Sequence, residues 1–331
     1  MQLIINQQPC EFPSDALDVP TLLASRGVKQ EAVALAINGQ VVPRRKWESV
    51  RLGHGDRVEL VKVVAGGALD DDPLIIAGKS FGSRLLMGTG RFQSPATLRA
   101  ALEASGTEIV TVAIRMTGVD GSGPDAGILS ALDRDRYHLL PNTAGATSVR
   151  QAVFMAELAR EALDTNWVKL EVIGDERTLW PDVAGTVEAT TILVREGFVV
   201  LPYTTTDLVT ALRLEAAGAS TIMPLGSMIG SGQGIQDWDG IQRIAERVSV
   251  PVVVDAGIGT PSDAVRAMEA GAHACLINTA VSRSDDPPIM AAAMRLAVIA
   301  GRLGSRAGRM PRSEGAVPSS PVAGLVGAGL A

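Results

Sequence analysis

The sequence predicts an α/β chain: a (β/α)₈ barrel preceded by a small α+β unit. Three observations carry this. The texture changes near residue 67, where a stretch of short strand-like runs ends and an acidic, proline-closed connector begins. Beyond it, an apolar run, a loop and an amphipathic helical segment recur about eight times over some 250 residues, the count and length of such a barrel. Aromatics make up only 3% of the 331 residues, so the core must be built from aliphatic side chains, which suits parallel strands under helices.

In the first unit the strand-like runs are Gln2 to Asn6, Ala32 to Ile37 and Arg57 to Val64. One short helical run near Thr21 to Arg26 opens at Pro20 and stops at Gly27. Asn38-Gly39 predicts a hairpin turn between Ala34-Ile37 and Val41-Val42. The unit is taken as residues 1–67, ending in Gly66-Gly67; residues 68–73 form the connector, 74–312 the barrel, and 313–331 a flexible tail rich in Gly, Ala, Ser and Pro. The barrel strands are read at Arg84 to Met87, Ile109 to Ile114, His138 to Leu140, Trp167 to Val172, Val199 to Pro202, Thr221 to Met223, Pro251 to Val254 and Ala274 to Ile277. Helical segments lie between them, such as Pro95 to Ala104 with Ser94 as N-cap. An open doubly wound sheet would more often show a glycine fingerprint after its first strand, and Gly88-Thr89-Gly90 is too short for one.

A formal net charge of -6 argues against nucleic acid as the main partner. The N-terminus has no signal-like basic and apolar regions, and every long apolar run is broken by charge, Pro or Gly, so no membrane partner is expected and the cytoplasm is the expected setting. Cys10 and Cys275 are far apart, and His54, His138 and His273 show no ligand-like spacing, so neither a disulfide framework nor a metal centre is expected.

Barrel enzymes gather their functional groups at the C-terminal ends of the strands, here Gly88, Arg115, Asn142, Glu171, Tyr203, Gly226, Asp255 and Asn278. In Trp167 to Ile173, alternation sends Lys169 and Glu171 to one face and Val168, Leu170 and Val172 to the other, which must face the helices. Lys169 then points into the barrel, where desolvation is expected to lower its pKa and free an amine to attack a carbonyl. The pattern leaves equally open a purely structural ion pair between Lys169 and Glu171. Asp255 closes an apolar strand and is a candidate acid or base, or a simple cap. Asp255 to Thr260 and Asn278-Thr279-Ala280 are small-residue turns after the last two strands, where backbone N-H groups can converge on a phosphate. Gly230 to Gly234 forms a further flexible loop.

Gly78 to Phe81, Arg84 to Gly90, Leu140 to Ala146, Lys169 to Asp175, Gly230 to Gly234, Val254 to Gly259 and Asn278 to Val281 together resemble the motifs of bacterial thiazole synthase, in order from about Pro73 to Pro321. That family is a TIM barrel. The resemblance implies that Lys169 forms a Schiff base with 1-deoxy-D-xylulose 5-phosphate, that Glu171 and Asp255 move protons, and that Gly174, Ala256, Gly257, Asn278 and Thr279 line the substrate and phosphate site. It implies a second substrate, dehydroglycine, no cofactor, and a homo-oligomer with a tetramer favoured. The first unit resembles the ubiquitin-like, β-grasp sulfur carrier of the same pathway, which presents a C-terminal glycine thiocarboxylate and is served by a carrier-activating adenylyltransferase.

Two departures bear on this. Gly67 is bonded to Ala68 and has no free carboxylate, so either the chain is cut after Gly67, the option favoured by its intact diglycine, or a separate carrier supplies sulfur. Arg115-Met116 stands where two basic residues are expected. Two other functions share parts of the pattern: a Schiff-base, aldolase-like lyase, which leaves the diglycine unit unexplained, and a non-catalytic sulfur-carrier scaffold in which the barrel serves for docking.

Overall fold

The computed structural model describes residues 1–6, 8–13, 17–26, 33–62, 72–113, 132–317 and 319. The chain divides into two compact units, Met1–Ala68 and Leu69–Ala331.

In the first unit, β1 (Gln2–Ile5), β2 (Gln8–Glu11), β4 (Val33–Ile37), β5 (Gln40–Val41) and β7 (Arg57–Lys62) form one sheet in the order β2-β1-β7-β4-β5, while β3 (Leu17–Asp18) pairs with β6 (Arg51–Leu52). Only β1 and β7 run parallel in the larger sheet; the other pairs are antiparallel. The β4–β5 turn has Asn38 and Gly39 at φ 51° and 78°, the left-handed pair that a two-residue hairpin requires and that this dipeptide adopts readily. Helix α1 (Val19–Ser25) starts where Asp18 accepts a hydrogen bond from Thr21 N and Pro20 fills the first turn. It buries Leu22 and Leu23 against Leu3, Leu35 and Trp47.

The second unit is a parallel eight-stranded barrel. Its strands are β10 (Leu85–Gly88), β11 (Ile109–Ala113), β12 (His138–Asn142), β13 (Trp167–Leu170), β16 (Val199–Thr204), β17 (Met223–Pro224), β18 (Val253–Asp255) and β19 (Ala274–Ile277). They are hydrogen-bonded in the order β17-β16-β13-β12-β11-β10-β19-β18, and the bridges Ile222–Val252 and Leu225–Asp255 join the two ends. Outside lie α2 (Pro95–Ser105), α3 (Val149–Leu163), α4 (Val183–Arg195), α5 (Leu208–Ala216), α6 (Trp238–Arg247), α7 (Pro261–Glu269), the one-turn α8 (Thr279–Ser282) and α9 (Pro287–Ala307). Side chains of Ser94, Ser148, Asp182, Asp207, Asp237 and Asp286 each accept a backbone N-H of the first turn, which fixes where these helices begin.

Two antiparallel hairpins interrupt the repeat. The first, β8 (Leu74–Ile76) with β9 (Lys79–Phe81), precedes the barrel, and its Leu74, Ile76 and Phe81 pack with Leu86, Leu201 and Leu276 from the strands. It plugs the N-terminal end of the barrel with apolar side chains. Beside it Asp72 anchors the start of the unit: Arg302 holds it through two bonds, at 2.7 and 3.0 Å, and buried Arg84 lies 2.9 Å away. These cations hold the Asp72 carboxyl below the usual carboxylate range, the Arg302 hydrogen bond contributing most. The second hairpin, β14 (Ile173–Asp175) with β15 (Trp180–Pro181), leaves the C-terminal end of β13. The strand expected over Trp167 to Val172 therefore stops at Leu170, and its continuation turns into this excursion. Among the described residues no helix is long and apolar enough to cross a membrane.

Candidate active site

The alternation along β13 is realised. Val168, Leu170 and Val172 pack outward with Ala152, Ala156 and Leu193 of α3 and α4. Lys169 and Glu171 point inward, each only 5% exposed, and β18 brings Asp255, 3% exposed, to the same place. Lys169 Nζ donates to Glu171 Oε1 at 3.0 Å and lies 2.6 Å from Asp255 Oδ2. The second contact is a short charge-assisted pair between two buried groups.

The electrostatics correct one expectation. Burial does push the Lys169 ammonium towards losing its proton, but Asp255 and Glu171 outweigh it, and the group is held above the ordinary lysine value. The free-standing site thus keeps Lys169 charged. Burial raises the Asp255 carboxyl, Lys169 opposes the rise, and the like charge of Glu171 adds to it. One ammonium thus stands between two buried carboxyl groups, at 3.0 and 2.6 Å.

Neighbouring groups hold this geometry. Thr143, buried at the end of β12, donates its hydroxyl to Glu171 O and accepts Glu171 N, both at 2.8 Å, and its own N-H reaches Lys169 O. Tyr203 of β16 is fully buried, with its ring centroid 5.8 Å from Lys169 Nζ, and its hydroxyl donates to Leu179 O in the β14–β15 hairpin. Burial, then Asp255 and Glu171, raise its phenol well above the ordinary tyrosine value. It stays a neutral aromatic face beside the ammonium. Sequence reasoning placed Tyr203 at a strand end without a role and gave Thr143 none; the inward parity of Tyr203 in an apolar strand was the available signal.

The loops after β17, β18 and β19 surround this cluster with small residues. Ala256 and Gly257 take φ of 67° and 78°. A Cβ on Gly257 would stand 2.0 Å from Ser227 Oγ, and one on Gly259 would stand 2.6 Å from Gly232 O, so the β17 and β18 loops interlock through missing side chains. Gly226 N donates to Asp255 O and Ala256 O, and Gly234 N to Gly257 O. Asn278 and Thr279 stand at the start of α8. The Asn278 side chain fills the space a Cβ on Gly88 would take, 2.6 Å from its own Cβ, and its buried Oδ1 has no partner among the described residues. Such an acceptor has room for a donor from water or a ligand. The structure thus gathers Lys169, Glu171 and Asp255 in one cluster, with Ala256 and Gly257 in the β18 loop and Asn278 and Thr279 after β19. Gly174 is exposed in β14, where a Cβ would stand 3.1 Å from Asp182 N. Gly66, Gly67, Arg115 and Met116 lie outside the described residues.

Comparison with known proteins identifies the families of the two units. Residues 75–321 match the model of the thiazole biosynthesis protein ThiG, and residues 3–67 that of the ThiS family. A thiazole synthase of Methylobacterium sp. (strain 4-46) is 56% identical over 257 residues, covering 78% of this chain and 96% of its own. One from Paramagnetospirillum magneticum is 44% identical over 327 residues, covering 98% of this chain and 100% of its own. The crystal structure of the Amycolatopsis orientalis BexX/CysO complex superposes with a TM-score of 0.67 at 35% identity, covering 73% of this chain and 99% of that one. Matched over most of its length, the chain belongs to the ThiG family of thiazole biosynthesis proteins, and its barrel follows a ThiS-family unit in the same chain.

Proposed function

We infer that this chain is a thiazole synthase of thiamine biosynthesis that works through a Schiff base on Lys169. The supporting observation is a buried amine at the end of β13, between two carboxylates at 3.0 and 2.6 Å. The substrate is 1-deoxy-D-xylulose 5-phosphate, its site lined by Gly174, Ala256, Gly257, Asn278 and Thr279, with the phosphate received by the small-residue loops.

As the ketone enters, the Lys169 ammonium passes one proton to Asp255 and attacks the carbonyl carbon. The carbinol oxygen takes up that proton and one more from the amine side and leaves as water, so the protonated imine replaces ketone and ammonium with charge conserved. The imine acidifies the adjacent C-H; Glu171 accepts that proton and returns it one atom along, moving the carbonyl down the chain. A neutral Tyr203 ring beside the nitrogen favours the cationic imine. The carrier thiocarboxylate then exchanges its sulfur for the oxygen of the shifted carbonyl and leaves as its carboxylate, and condensation with dehydroglycine (2-iminoacetate) releases the Lys169 amine and a second water as the ring closes to thiazole phosphate carboxylate.

The sequence needs no cofactor and neither cysteine. The carrier is the chain's own first unit, released after Gly67 and activated by an adenylyltransferase, or a separate protein of the same kind; the full-length relative from P. magneticum supports a functional pairing of the two units in one chain. A cytoplasmic setting and a homo-oligomer belong to the same reading.

The test is turnover with 1-deoxy-D-xylulose 5-phosphate, dehydroglycine and a carrier thiocarboxylate. Lys169→Arg keeps the charge but cannot form the imine, and turnover is expected to fall at least about a thousandfold. Retained turnover would refute the reading and favour a barrel that only docks the carrier.

A further inference from the structure

One inward side chain at the mouth of the barrel has no part in the chemistry above. Strand β12 sends Leu140 into the interior, among Leu86, Leu201 and Leu276, and Leu139 into the helix-facing core with Leu102 and Leu163. Period-two alternation therefore turns Asn142, the last residue of the strand, inward beyond Leu140. Its register partner on β13 is Lys169, so the two side chains stand side by side on the inner face. The next residue ties them to one frame: Thr143 N donates to Lys169 O at 3.1 Å, and the Thr143 hydroxyl bridges the Glu171 backbone.

The amide has a defined orientation. Ala144 N, which can only donate, lies 3.4 Å from Asn142 Oδ1, so the oxygen faces the loop and the amide nitrogen faces away from it. That nitrogen has no acceptor among the described residues, and the side chain is half-buried. Other donors nearby are engaged or displaced. The Lys169 ammonium is held by Glu171 and Asp255, Tyr203 donates to Leu179 O, Thr111 lies a layer deeper beside Leu140, and Asn278 follows β19, four strands round the barrel. When an amine attacks a ketone, the C-N bond forms and the π pair of the C=O bond moves onto oxygen. That oxygen gains negative charge and needs a fixed donor, which two carboxylates cannot supply.

We propose that Asn142 Nδ2 donates a hydrogen bond to the carbonyl oxygen of the ketone and to the carbinol oxygen that replaces it. The inference rests on the Schiff-base reading of Lys169 and adds the group that receives the developing charge. The amide transfers no proton: the one the oxygen acquires comes through Asp255. A neutral group suits the position. A cation there would compete with Lys169 for Glu171 and Asp255, and a third carboxylate would hold the amine protonated.

Timed mixing of the full-length chain with 1-deoxy-D-xylulose 5-phosphate, stopped by borohydride, reads the rate at which Lys169 acquires the adduct. Calorimetric binding of the matching 1-deoxypentitol 5-phosphate, with an alcohol in place of the ketone, reads the remaining contacts. Asn142→Ala is expected to slow trapping about a hundredfold while pentitol affinity stays within about fivefold of wild type and melting is unchanged. Asn142→Asp keeps the shape and the Ala144 bond but replaces the donor with an acceptor, and should be slower still. A purely structural role predicts the reverse order, since that variant keeps the loop bond. The reverse order, trapping by Asn142→Ala close to the wild-type rate, or pentitol affinity lost in step with trapping would each overturn the proposal and leave the Lys169 reading standing. A folded wild type that forms no adduct refutes the Lys169 reading itself, and the proposal falls with it.

Discussion

Replacing Lys169 by Met tests the electrostatics of the cluster separately from its chemistry. Methionine matches the lysine stem in length and removes only the charge. Glu171 and Asp255, 5% and 3% exposed, then face each other across an apolar side chain with nothing to neutralise them. Removing one partner of a buried ion pair costs about 3–5 kcal/mol, and here one ammonium serves two carboxylates, so the upper part of that range is expected at pH 8. The pH dependence has a definite sign. Burial already places the folded-state pKa of Asp255 above its ordinary value, and losing Lys169, which opposes that rise, lifts it further. A raised folded pKa gives stability that is present at low pH and lost as pH climbs through it. The deficit relative to wild type should therefore shrink as the pH falls and grow as it rises. Denaturant unfolding of the barrel, followed by circular dichroism and by the fluorescence of Trp167, Trp180 and Trp238, gives the difference at each pH. A deficit below about 1 kcal/mol that does not change with pH would refute the claim that Lys169 is the cluster's counter-ion.

Three further outcomes follow from the same geometry. Gly257→Ala combines a left-handed φ of 78° with a Cβ 2.0 Å from Ser227 Oγ, so it should destabilise the barrel by about 2–4 kcal/mol and separate the interlocked loops, read as a lower Tm and a raised KM for the sugar phosphate. Asp72→Ala leaves Arg84, 4% exposed, without its counter-ion and should cost about 3 kcal/mol at neutral pH; because the Asp72 carboxyl is depressed, the wild-type advantage should fade as the pH drops below about 4. Tyr203→Phe keeps the ring and loses the hydroxyl bond to Leu179 O, so kcat should fall only a few-fold; Tyr203→Leu removes the aromatic face and should lower kcat further at unchanged KM.

Much of this site can be read from local pattern. Period-two alternation in Trp167 to Val172 puts Lys169 and Glu171 on one inner face because the apolar partners must meet α3 and α4, and the position of Asp255 after three valines marks a strand mouth. Asn38-Gly39 specifies its turn through backbone preference alone. What the pattern hides depends on residues distant in sequence. Desolvation of Lys169 was legible, but the sign of its pKa was not, since the second carboxylate comes from β18 on the far side of the fold. The plug hairpin at Leu74 to Phe81 was also missed: its three-residue strands are too short to show alternation, and its apolar side chains find their partners only inside the assembled barrel.

The central claim is covalent chemistry at Lys169, and one measurement reaches it most directly. The full-length protein is incubated with 1-deoxy-D-xylulose 5-phosphate, reduced with borohydride and mapped by peptide mass. The account predicts one reduced sugar-phosphate adduct, located on Lys169 and absent from Lys169→Arg. A folded protein that gives no adduct, or one that carries it on another lysine, would contradict it.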